Sequence, residues 1–598
     1  MKSSSHSSPL IFHVALVVSG AAALVYQSAW GRMLQRVFGV SDLAVATVLG
    51  VFFFGLGLGS WLSARFAPKV RRPAWTYALL ELAIGAYAVL SLFLMRALPT
   101  LYASFHPELS FQRAVLLRAG LALLVLLPPT TLLGATLPFV VAAASRGSRH
   151  WASEATGLYT SNTVGAVLGA ALVGFWALPR LGLSGSIVLA ALASVSAALL
   201  VLYAPARQAG EAPPPDEAAE RHEHATEQGR EPGRPHLALV LAAGSGIAAL
   251  AGEVVWTRVL RIVIQGTTQA FSAMLVQFLI GIALGSALSR KLIRWSPARA
   301  LACLQLALGF AIALSVGTAN HLPRVIALLR GKPSMVPNET WVILLSSGIL
   351  LLPLALLLGA CLPLTWSIAG GGSEDAAKHA GRTLAANTFG GLLGSFCMGF
   401  YCIPLLGTQR CLDGLVLLHF FMAALAFAWG EPQSHRRRAF HLAFPLLLAL
   451  ALLQSRPKLS LPFLLHARQD VSNAVLRGPR RDAGRHVVFL REGRNTTVSI
   501  VKRGDSYRLF NDGRPESGIA AKPPGFGPEL VTLATLPSLL SETRDRALVI
   551  GLGAGHTTRV LLAAPWKRVD VVELEEAVVE AARRLHRLAK QPFPLDDA

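Results

Sequence analysis

The stretch Ser19–Val37, SGAAALVYQSAWGRMLQRV, is written a second time in this chain as Ser245–Val263, SGIAALAGEVVWTRVLRIV. The two copies align without a gap, so that Trp30 pairs with Trp256 and Arg32 with Arg258. Similarity at a fixed offset is the sequence signature of a duplicated structural unit. This stretch therefore predicts that the fold is built from two copies of one unit.

The repeat continues downstream at nearly the same offset. GLGLGSWLSAR from Gly55 matches GIALGSALSRK from Gly281, and LLGATLP from Leu132 matches LLGACLP from Leu357. We divide the chain accordingly into a first repeat, a flexible polar linker, a second repeat, a basic loop with a short apolar segment, a small β-hairpin domain with a helix, and a partial α/β domain. The predicted bounds are 1–205, 206–236, 237–430, 431–458, 459–540 and 541–598, in that order.

The composition assigns the repeats to a membrane. Of the 598 residues, 53% are hydrophobic and only 15% are charged, whereas soluble domains are about one quarter charged. Apolar runs of membrane-spanning length recur about six times in each copy. An even number of spans leaves both copies facing the same way, as in parallel transporter repeats. We predict a mainly α-helical polytopic membrane protein of two parallel six-helix repeats, with the lipid bilayer as its main partner.

The net charge of +22 is concentrated in short loops and in the tail. Basic loops follow the second span of each copy, around Arg71 and Arg294, which places both loops and the amino terminus on the cytoplasmic side. No nucleic-acid-binding motif accompanies this charge, so we expect no nucleic-acid partner. The five cysteines lack CxxC spacing, and we expect no metal site.

Four polar residues fall inside predicted spans, where a carboxylate is costly. Glu81 aligns with Gln305 and Glu253 aligns with Gln27, so each copy keeps one acid and one amide in exchanged positions. One interpretation is a polar site between the two units, for a proton or a cation. The other is interhelical hydrogen bonding that fixes the packing.

The segment 439–454 is 16 residues long and uncharged, which is short for a span. If it crosses the membrane, the number of spans is thirteen and the tail lies outside the cytoplasm. If it lies in the interface, the tail is cytoplasmic. The sequence leaves both alternatives open.

In the tail, alternating apolar and polar residues replace the long apolar runs of the repeats. Alternating residues over 485–513, with turn signals at RGD and NDG, predict a small antiparallel sheet, and a helix follows it. VIGLGAGHTT from Val549 then reads as a strand, a glycine turn and the start of a helix, which predicts a partial α/β Rossmann-like fold. Gly551, Gly553 and Gly555 allow the backbone to approach a ligand. Glu573 ends the next strand at the spacing at which an acid reaches ribose hydroxyls.

The hairpin sheet, VIGLGAGHTT and VDVVELEEAVVEAAR together resemble spermidine synthase, a polyamine aminopropyltransferase, and more closely its membrane-fused, transporter-like bacterial relatives. The two six-span units also resemble the major facilitator architecture. The resemblance implies a multi-pass protein of the bacterial inner membrane. It implies that the three glycines line a pocket for decarboxylated S-adenosylmethionine or a related nucleoside, that Glu573 holds the ribose, and that a polyamine is a further ligand.

The tail departs from the synthases in three places. Ala554 stands where the synthases carry an aspartate in the glycine-rich loop. The chain ends at PFPLDDA, about where a third strand would begin, so the adenine-side and catalytic aspartates have no counterpart. We therefore expect the domain to be incomplete as a catalyst, or to be completed by a partner or a second chain. An alternative function is a transporter-like module for a small solute of cationic or polyamine type, with the tail as a sensor or scaffold.

Overall fold

The structure is a computed structural model. It describes residues 10–39, 42–105, 111–146, 148, 150–203, 233–264, 266–292, 296–330, 339–430, 434–466, 487–520 and 528–596. Most of the linker predicted at 206–236 lies outside these ranges.

Long apolar helices form the first repeat, as its composition predicts. They are α1 (Leu10–Phe38), α2 (Asp42–Phe66), α3 (Pro73–Phe105), α4 (Phe111–Ala144), α5 (Trp151–Leu172) and α6 (Leu178–Leu202).

The second repeat has the same order of helices, with two of them interrupted. They are α7 (Pro235–Ile264), α8 (Thr268–Leu292), α9 (Pro297–Arg330), α10 (Glu339–Gly359) with α11 (Cys361–Ala369), α12 (Ala376–Cys397) with α13 (Ile403–Leu406), and α14 (Thr408–Trp429). A further helix, α15 (His435–Ser455), follows.

Both repeats reverse direction by the same device. A π-helical turn at Val173–Ala177 precedes Gly182, and its counterpart at Met398–Cys402 precedes Gly407. These glycines have φ values of 66° and 82°, a region that other residues adopt at a cost. The chain therefore turns back at Gly182, inside α6, and again at Gly407, between α13 and α14.

Twelve helical stretches among the described residues are long and apolar enough to cross a membrane. One of them, Trp151–Leu202, has 52 residues, far more than the roughly 20 that one crossing needs. Because this stretch folds back at Gly182, it accounts for two crossings, and the twelve stretches give thirteen. The polytopic helical fold with parallel six-helix repeats is confirmed.

Glycines bring the helices of each unit close together. A Cβ atom built on Gly20 would lie 2.2 Å from the carbonyl oxygen of Asn162, and one on Gly246 would lie 1.9 Å from that of Asn387. No side chain larger than hydrogen fits at either position without backbone movement. The two units thus share the small-residue packing typical of membrane helices.

The helix ends define two faces. On the first face, which we call the basic face, α2, α4 and α11 end. There Arg146 donates to the carbonyl of Arg71 at 2.9 Å, and Trp151 donates to that of Gly371 at 3.2 Å. On the opposite face, which we call the tail face, α7 and α9 end and α14 begins.

Helix α15 runs antiparallel to α14 along its full length. At one end the rings of Phe427 and His441 lie 5.5 Å apart, and at the other Arg456 forms an ion pair with Asp413. Its 21 residues span about 30 Å, the thickness of a hydrocarbon core. The apolar segment predicted at 439–454 is therefore part of a membrane-length helix that leads from the basic face to the tail face.

The tail begins with a short helix, α16 (Leu461–His466), and a four-stranded antiparallel sheet in the order β1-β2-β3-β4. The strands are β1 (Val487–Glu492), β2 (Thr497–Arg503), β3 (Ser506–Asn511) and β4 (Arg514–Ala520). The predicted RGD and NDG turns join β2 to β3 and β3 to β4. Asp512 and Gly513 both have positive φ, as a tight hairpin requires.

The glycine motif lies in a second, parallel pair of strands. Helix α17 (Pro528–Leu540) leads to β5 (Arg546–Ile550), α18 (His556–Leu562), β6 (Arg568–Val572) and α19 (Glu576–Leu588). β5 and β6 pair in parallel, with Val549 opposite Val571. Helix α19 packs its apolar face, including Ala581 and Leu585, on the four-stranded sheet. The strand, turn, helix and strand predicted from VIGLGAGHTT are confirmed.

One side of the β5–β6 pair has no cover in the described chain. Ala547 and Val549 pack with α17 and α18, but Leu548 is 61% exposed and Ile550 is 83% exposed. Val572, which pairs with Ile550, is also exposed. A parallel sheet is normally buried on both faces, so an exposed apolar face of this kind is unusual.

Candidate functional sites

The three predicted glycines have different surroundings. All have positive φ, at 89° for Gly551, 53° for Gly553 and 80° for Gly555. A Cβ atom on Gly555 would lie 2.9 Å from Pro594, and one on Gly553 would lie 3.4 Å from the Ser517 hydroxyl. One on Gly551 would meet nothing within 4 Å in the described chain. Gly551 is therefore the glycine at which a ligand can approach the backbone.

Glu573 lies beside this turn, as the sequence predicts. Its Oε2 atom accepts the Leu552 backbone N–H at 2.8 Å, and its Oε1 atom accepts the Glu575 N–H at 3.0 Å. A carboxylate offers about four lone-pair positions, so both oxygens can still accept a hydroxyl proton. The group is fixed by two backbone donors at the mouth of the turn, and this arrangement fits a ribose diol.

A histidine that no sequence motif indicates supports the turn. His586 on α19 is buried, and its Nε2 atom donates to the Ala554 carbonyl at 2.8 Å. Arg559 donates to its Nδ1 atom at 2.9 Å, which fixes the neutral tautomer. Burial lowers the pKa of His586, and the Arg559 charge acts in the same direction. In the sequence, His586 is one of several polar residues in an amphipathic helix.

The four-stranded sheet supports the same turn from the other side. The Ser517 hydroxyl accepts the Ala554 N–H at 2.9 Å, and His556 contacts the Gly518 carbonyl at 2.9 Å. Both backbone polar groups of Ala554 are therefore occupied by the protein. At the position where synthases place an aspartate, this chain has a buried alanine that fixes the turn.

A second turn connects this site to the membrane helices. We call residues 493–496, between β1 and β2, the connecting turn. Arg258 at the end of α7 donates to the carbonyl of Gly493 at 2.6 Å. From the other side, Glu575 accepts the Asn495 N–H at 2.8 Å. Because the Glu575 N–H also binds Glu573, hydrogen bonds link α7 to the glycine turn.

Glu81 is completely buried inside the first unit. One of its oxygens accepts the hydroxyl of Ser19 on α1, while Oε2 has no hydrogen-bond partner in the described chain. The hydroxyl of Tyr77, one turn earlier on α3, also has none there. These contacts stay within the first unit.

Gln305 takes the equivalent place in the second unit. Its amide nitrogen donates to Ser245 at 3.2 Å, and its oxygen lies 2.6 Å from Nδ1 of His419. Ser245 is the repeat counterpart of Ser19. Two equivalent polar clusters therefore exist, each with its own buried side chain at its centre.

Gln27 and Glu253 occupy a different kind of position. They are counterparts on α1 and α7, and each is only partly buried. They lie on the half of their helix nearer the tail face. A polar site shared between the two units stays a prediction, and these two residues are the members of the predicted set that are accessible for it.

Comparison with curated proteins shows that the tail is similar to polyamine aminopropyltransferases. No protein-family model matches the chain. It is 24% identical over 322 residues to the polyamine aminopropyltransferase of Corynebacterium efficiens, covering 52% of this chain and 55% of that protein. It is 27% identical over 234 residues to the polyamine aminopropyltransferase of Mycobacterium tuberculosis, covering 38% and 41%. The chain spans about half the length of the curated relatives it matches.

Solved structures similar to this chain are membrane symporters. A proton:xylose symporter of the major facilitator superfamily matches 75% of this chain and 95% of its own, at 15% identity and a TM-score of 0.43. The Escherichia coli fucose:proton symporter matches 71% of this chain and 100% of its own, at 14% identity and a TM-score of 0.43.

The helices and the curated relatives together establish the class of protein. The chain is a multi-pass membrane protein in which a duplicated helical unit is fused to a tail similar to polyamine aminopropyltransferases. The longer curated alignment has more than twice the length of the segment 459–598, so it includes part of the helical region. The fusion that the sequence motifs indicated is confirmed.

Proposed function

We propose that the tail binds a nucleoside through its ribose, and that decarboxylated S-adenosylmethionine or a related compound is the ligand. The observation that carries this proposal is the Glu573 carboxylate, held by two backbone N–H groups next to the open side of Gly551. The similarity to polyamine aminopropyltransferases supports it. If the ligand is decarboxylated S-adenosylmethionine and a partner completes the catalyst, a polyamine amine would take the aminopropyl group from the sulfonium, and methylthioadenosine and a proton would be released.

The residues of this chain divide the binding task. Glu573 would accept the ribose hydroxyls, and Gly551 would admit the ligand to the backbone. Ser517 and His586 would keep the turn in shape without touching the ligand. The bacterial inner membrane is the proposed location.

Isothermal calorimetry on the full-length protein in nanodiscs tests this proposal, with decarboxylated S-adenosylmethionine and methylthioadenosine as probes. We expect Glu573→Gln to weaken binding about tenfold or more, because loss of a charged hydrogen-bond partner costs about 1.5–3 kcal/mol. Glu542→Gln, an exposed acid in the loop before β5, is the matched control and should bind normally. Equal affinities of all three proteins would reject the ribose assignment.

We further propose that additional protein covers the open surface formed by Leu548, Ile550 and Val572. The free edge of β5 supports the addition of a strand there, because β5 pairs with β6 on one side only in the described chain. A photo-crosslinking residue at position 550 should capture a defined polypeptide segment, identified by mass spectrometry. The same residue at exposed Asp505, on another surface of the tail, should not.

A second candidate function is transport of a small cationic solute by the helical unit. The partly buried Gln27 and Glu253, at equivalent positions of α1 and α7, favour it. Uptake of labelled polyamines into proteoliposomes should be lost in the double variant Glu81→Gln/Glu253→Gln if these acids line a path. Unchanged uptake with altered thermal stability would assign both acids to packing.

A further inference from the structure

We propose that the tail lies outside the cytoplasm, on the side of the membrane opposite to the basic loops. The placement rests on the path of the chain and on its charges, independently of what the tail binds. Its meaning for the ligand rests on the proposed function.

The contacts of the tail are all with one face of the helical unit. Arg261, near the end of α7, forms an ion pair with Asp512 at 3.0 Å. Thr408, at the start of α14, donates its N–H to Glu492 at 2.9 Å. Asn320, near the end of α9, accepts the N–H of Ser460 at 2.9 Å. Three helices therefore contact the tail, and all three do so on the tail face.

The route of the chain agrees with these contacts. Helix α14 ends on the basic face, and α15 begins there and returns along it to Arg456. Helix α15 is largely exposed on its outer side, with Phe440, Phe444 and Leu447 accessible as lipid-facing residues would be. It is therefore the thirteenth crossing, and it moves the chain to the face opposite the amino terminus.

The connecting segments show which face is cytoplasmic. Positive charge in short segments is retained in the cytoplasm. Segments that join helix ends on the tail face (39–41, 106–110, 265–267, 331–338 and the glycine reversals 178–182 and 403–407) contain two basic residues, Arg180 and Lys332. Those that join helix ends on the basic face contain ten: Lys69, Arg71, Arg72, Arg146, Arg149, Arg207, Arg221, Arg230, Arg234 and Arg294.

Basic residues also lie near the helix ends, in similar numbers on the two faces. On the tail face, Arg258 and Arg261 contact the tail itself, and Arg330 pairs with Glu339 across a short connection. Other arginines near helix ends of this face are Arg32, Arg36, Arg113, Arg118, Arg324 and Arg410. The difference in charge between the faces therefore lies in the connecting segments, which are the segments that the positive-inside rule counts.

This orientation changes what the glycine turn can meet. A nucleoside made in the cytoplasm would reach the turn only after crossing the membrane, and the helical unit is the part of the protein that could carry it. The class of reaction that must supply this ligand is therefore an export step, or chemistry outside the cytoplasm. A polyamine acceptor would likewise be an external one.

Cysteine labelling tests the orientation in whole cells. In a background with the five native cysteines changed to serine, Asp505→Cys reports on the tail and Arg72→Cys on the basic face; both positions are exposed. With a membrane-impermeant maleimide we expect Asp505→Cys to be labelled in right-side-out spheroplasts. Arg72→Cys should be labelled only after permeabilisation.

The reverse pattern, or labelling of both positions in intact spheroplasts, would overturn the proposal. If the serine background fails to fold, trypsin treatment of spheroplasts that contain the native chain replaces it. Cleavage of the tail without permeabilisation is then expected, and protection would overturn the proposal. Calorimetry on purified protein reaches both faces, so failure of nucleoside binding is a separate result.

Discussion

The two membrane units share a backbone but differ in chemistry. Both reverse at a glycine after a π-helical turn, and both pack glycines against a neighbouring helix. Yet the first unit buries Glu81 against Ser19, whereas the second buries Gln305 between Ser245 and His419. The duplicated frame therefore depends on small residues at equivalent places, while the buried polar residues differ between the two copies.

The two units also differ in their contacts with the tail. Arg258 and Arg261 of the second unit contact the tail, and their counterparts in the first unit are Arg32 and Gln35. No tail contact of Arg32 is present in the described chain. One unit therefore carries the tail while its copy does not.

The largest effect should come from placing a side chain at the glycines where helices touch in both units. A Cβ atom on Gly59 would lie 1.9 Å from the Thr131 carbonyl oxygen, and one on Gly285 would lie 1.9 Å from that of Leu356. Overpacking costs about 1–3 kcal/mol or more, so we expect Gly59→Val and Gly285→Val each to lower the melting temperature sharply or to prevent folding. Thermal unfolding in detergent measures this.

Gly120→Ala is the control for this comparison, because a Cβ atom there meets nothing within 4 Å in the described chain. It should keep or slightly raise the melting temperature, since alanine favours a helix more than glycine. Tolerance of valine in one unit alone would show that the two frames are not equivalent.

The next effect concerns the unit that holds the tail. Arg258→Ala removes a charged donor to Gly493, a hydrogen bond of the class that contributes about 1.5–3 kcal/mol. We expect amide hydrogen exchange in the connecting turn, residues 493–496, to become faster. The matched variant Arg32→Ala, in the first unit, should leave this exchange rate unchanged. Equal acceleration in both would contradict the one-sided docking.

The stability of the tail should depend on pH through its buried histidine, His586. Burial lowers the pKa of His586 below its unfolded value of about 6.5. Its stabilising effect is therefore complete above that value and is lost as the pH falls toward the lowered pKa. The unfolding temperature of the tail should decrease below about pH 6.5.

His586→Gln should flatten this pH profile, with His556, whose pKa burial also lowers, accounting for the remainder. His150→Gln, an exposed histidine of the first unit, should retain the profile of the parent protein. A profile that is identical in all three proteins would exclude His586 as its source.

The smallest effect should come from making the first unit resemble the second. Glu81→Gln leaves an acceptor for Ser19 and adds donors near the unpaired hydroxyl of Tyr77. We expect a change in the free energy of unfolding of about 1 kcal/mol or less, as for a typical hydrogen bond. Glu81→Leu should cost more, and the reverse order would indicate that the carboxylate has a structural role of its own.

Features encoded locally were predictable from the sequence. The repeat, the hairpin turns at Gly504 and Gly513, and the strand before Gly551 follow from periodicity and from residues that favour particular φ values. The antiparallel sheet is larger than predicted, since β4 extends to Ala520. The hydrophobic pattern is weak there, because the strand includes Pro515 and Gly518.

Features that join distant parts of the chain were not predictable. The contact of Arg258 with Gly493 links residues 235 positions apart, and no local pattern marks it. Whether α15 is long enough to cross the membrane depends on its first turn. His435 to Arg438 form that turn, and the apolar segment 439–454 does not include them. The pairing of Glu573 with Leu552 also needed the sheet register, although the spacing had placed the residue correctly.

The connecting turn has a mechanical consequence. It is gripped by Arg258 from the membrane and by Glu575 from α19, and a Cβ atom on Gly493 would already lie 2.3 Å from a Glu575 oxygen. A displacement of the end of α7 would therefore be passed through the connecting turn to Glu575, and from Glu575 to the carboxylate of Glu573 beside Gly551.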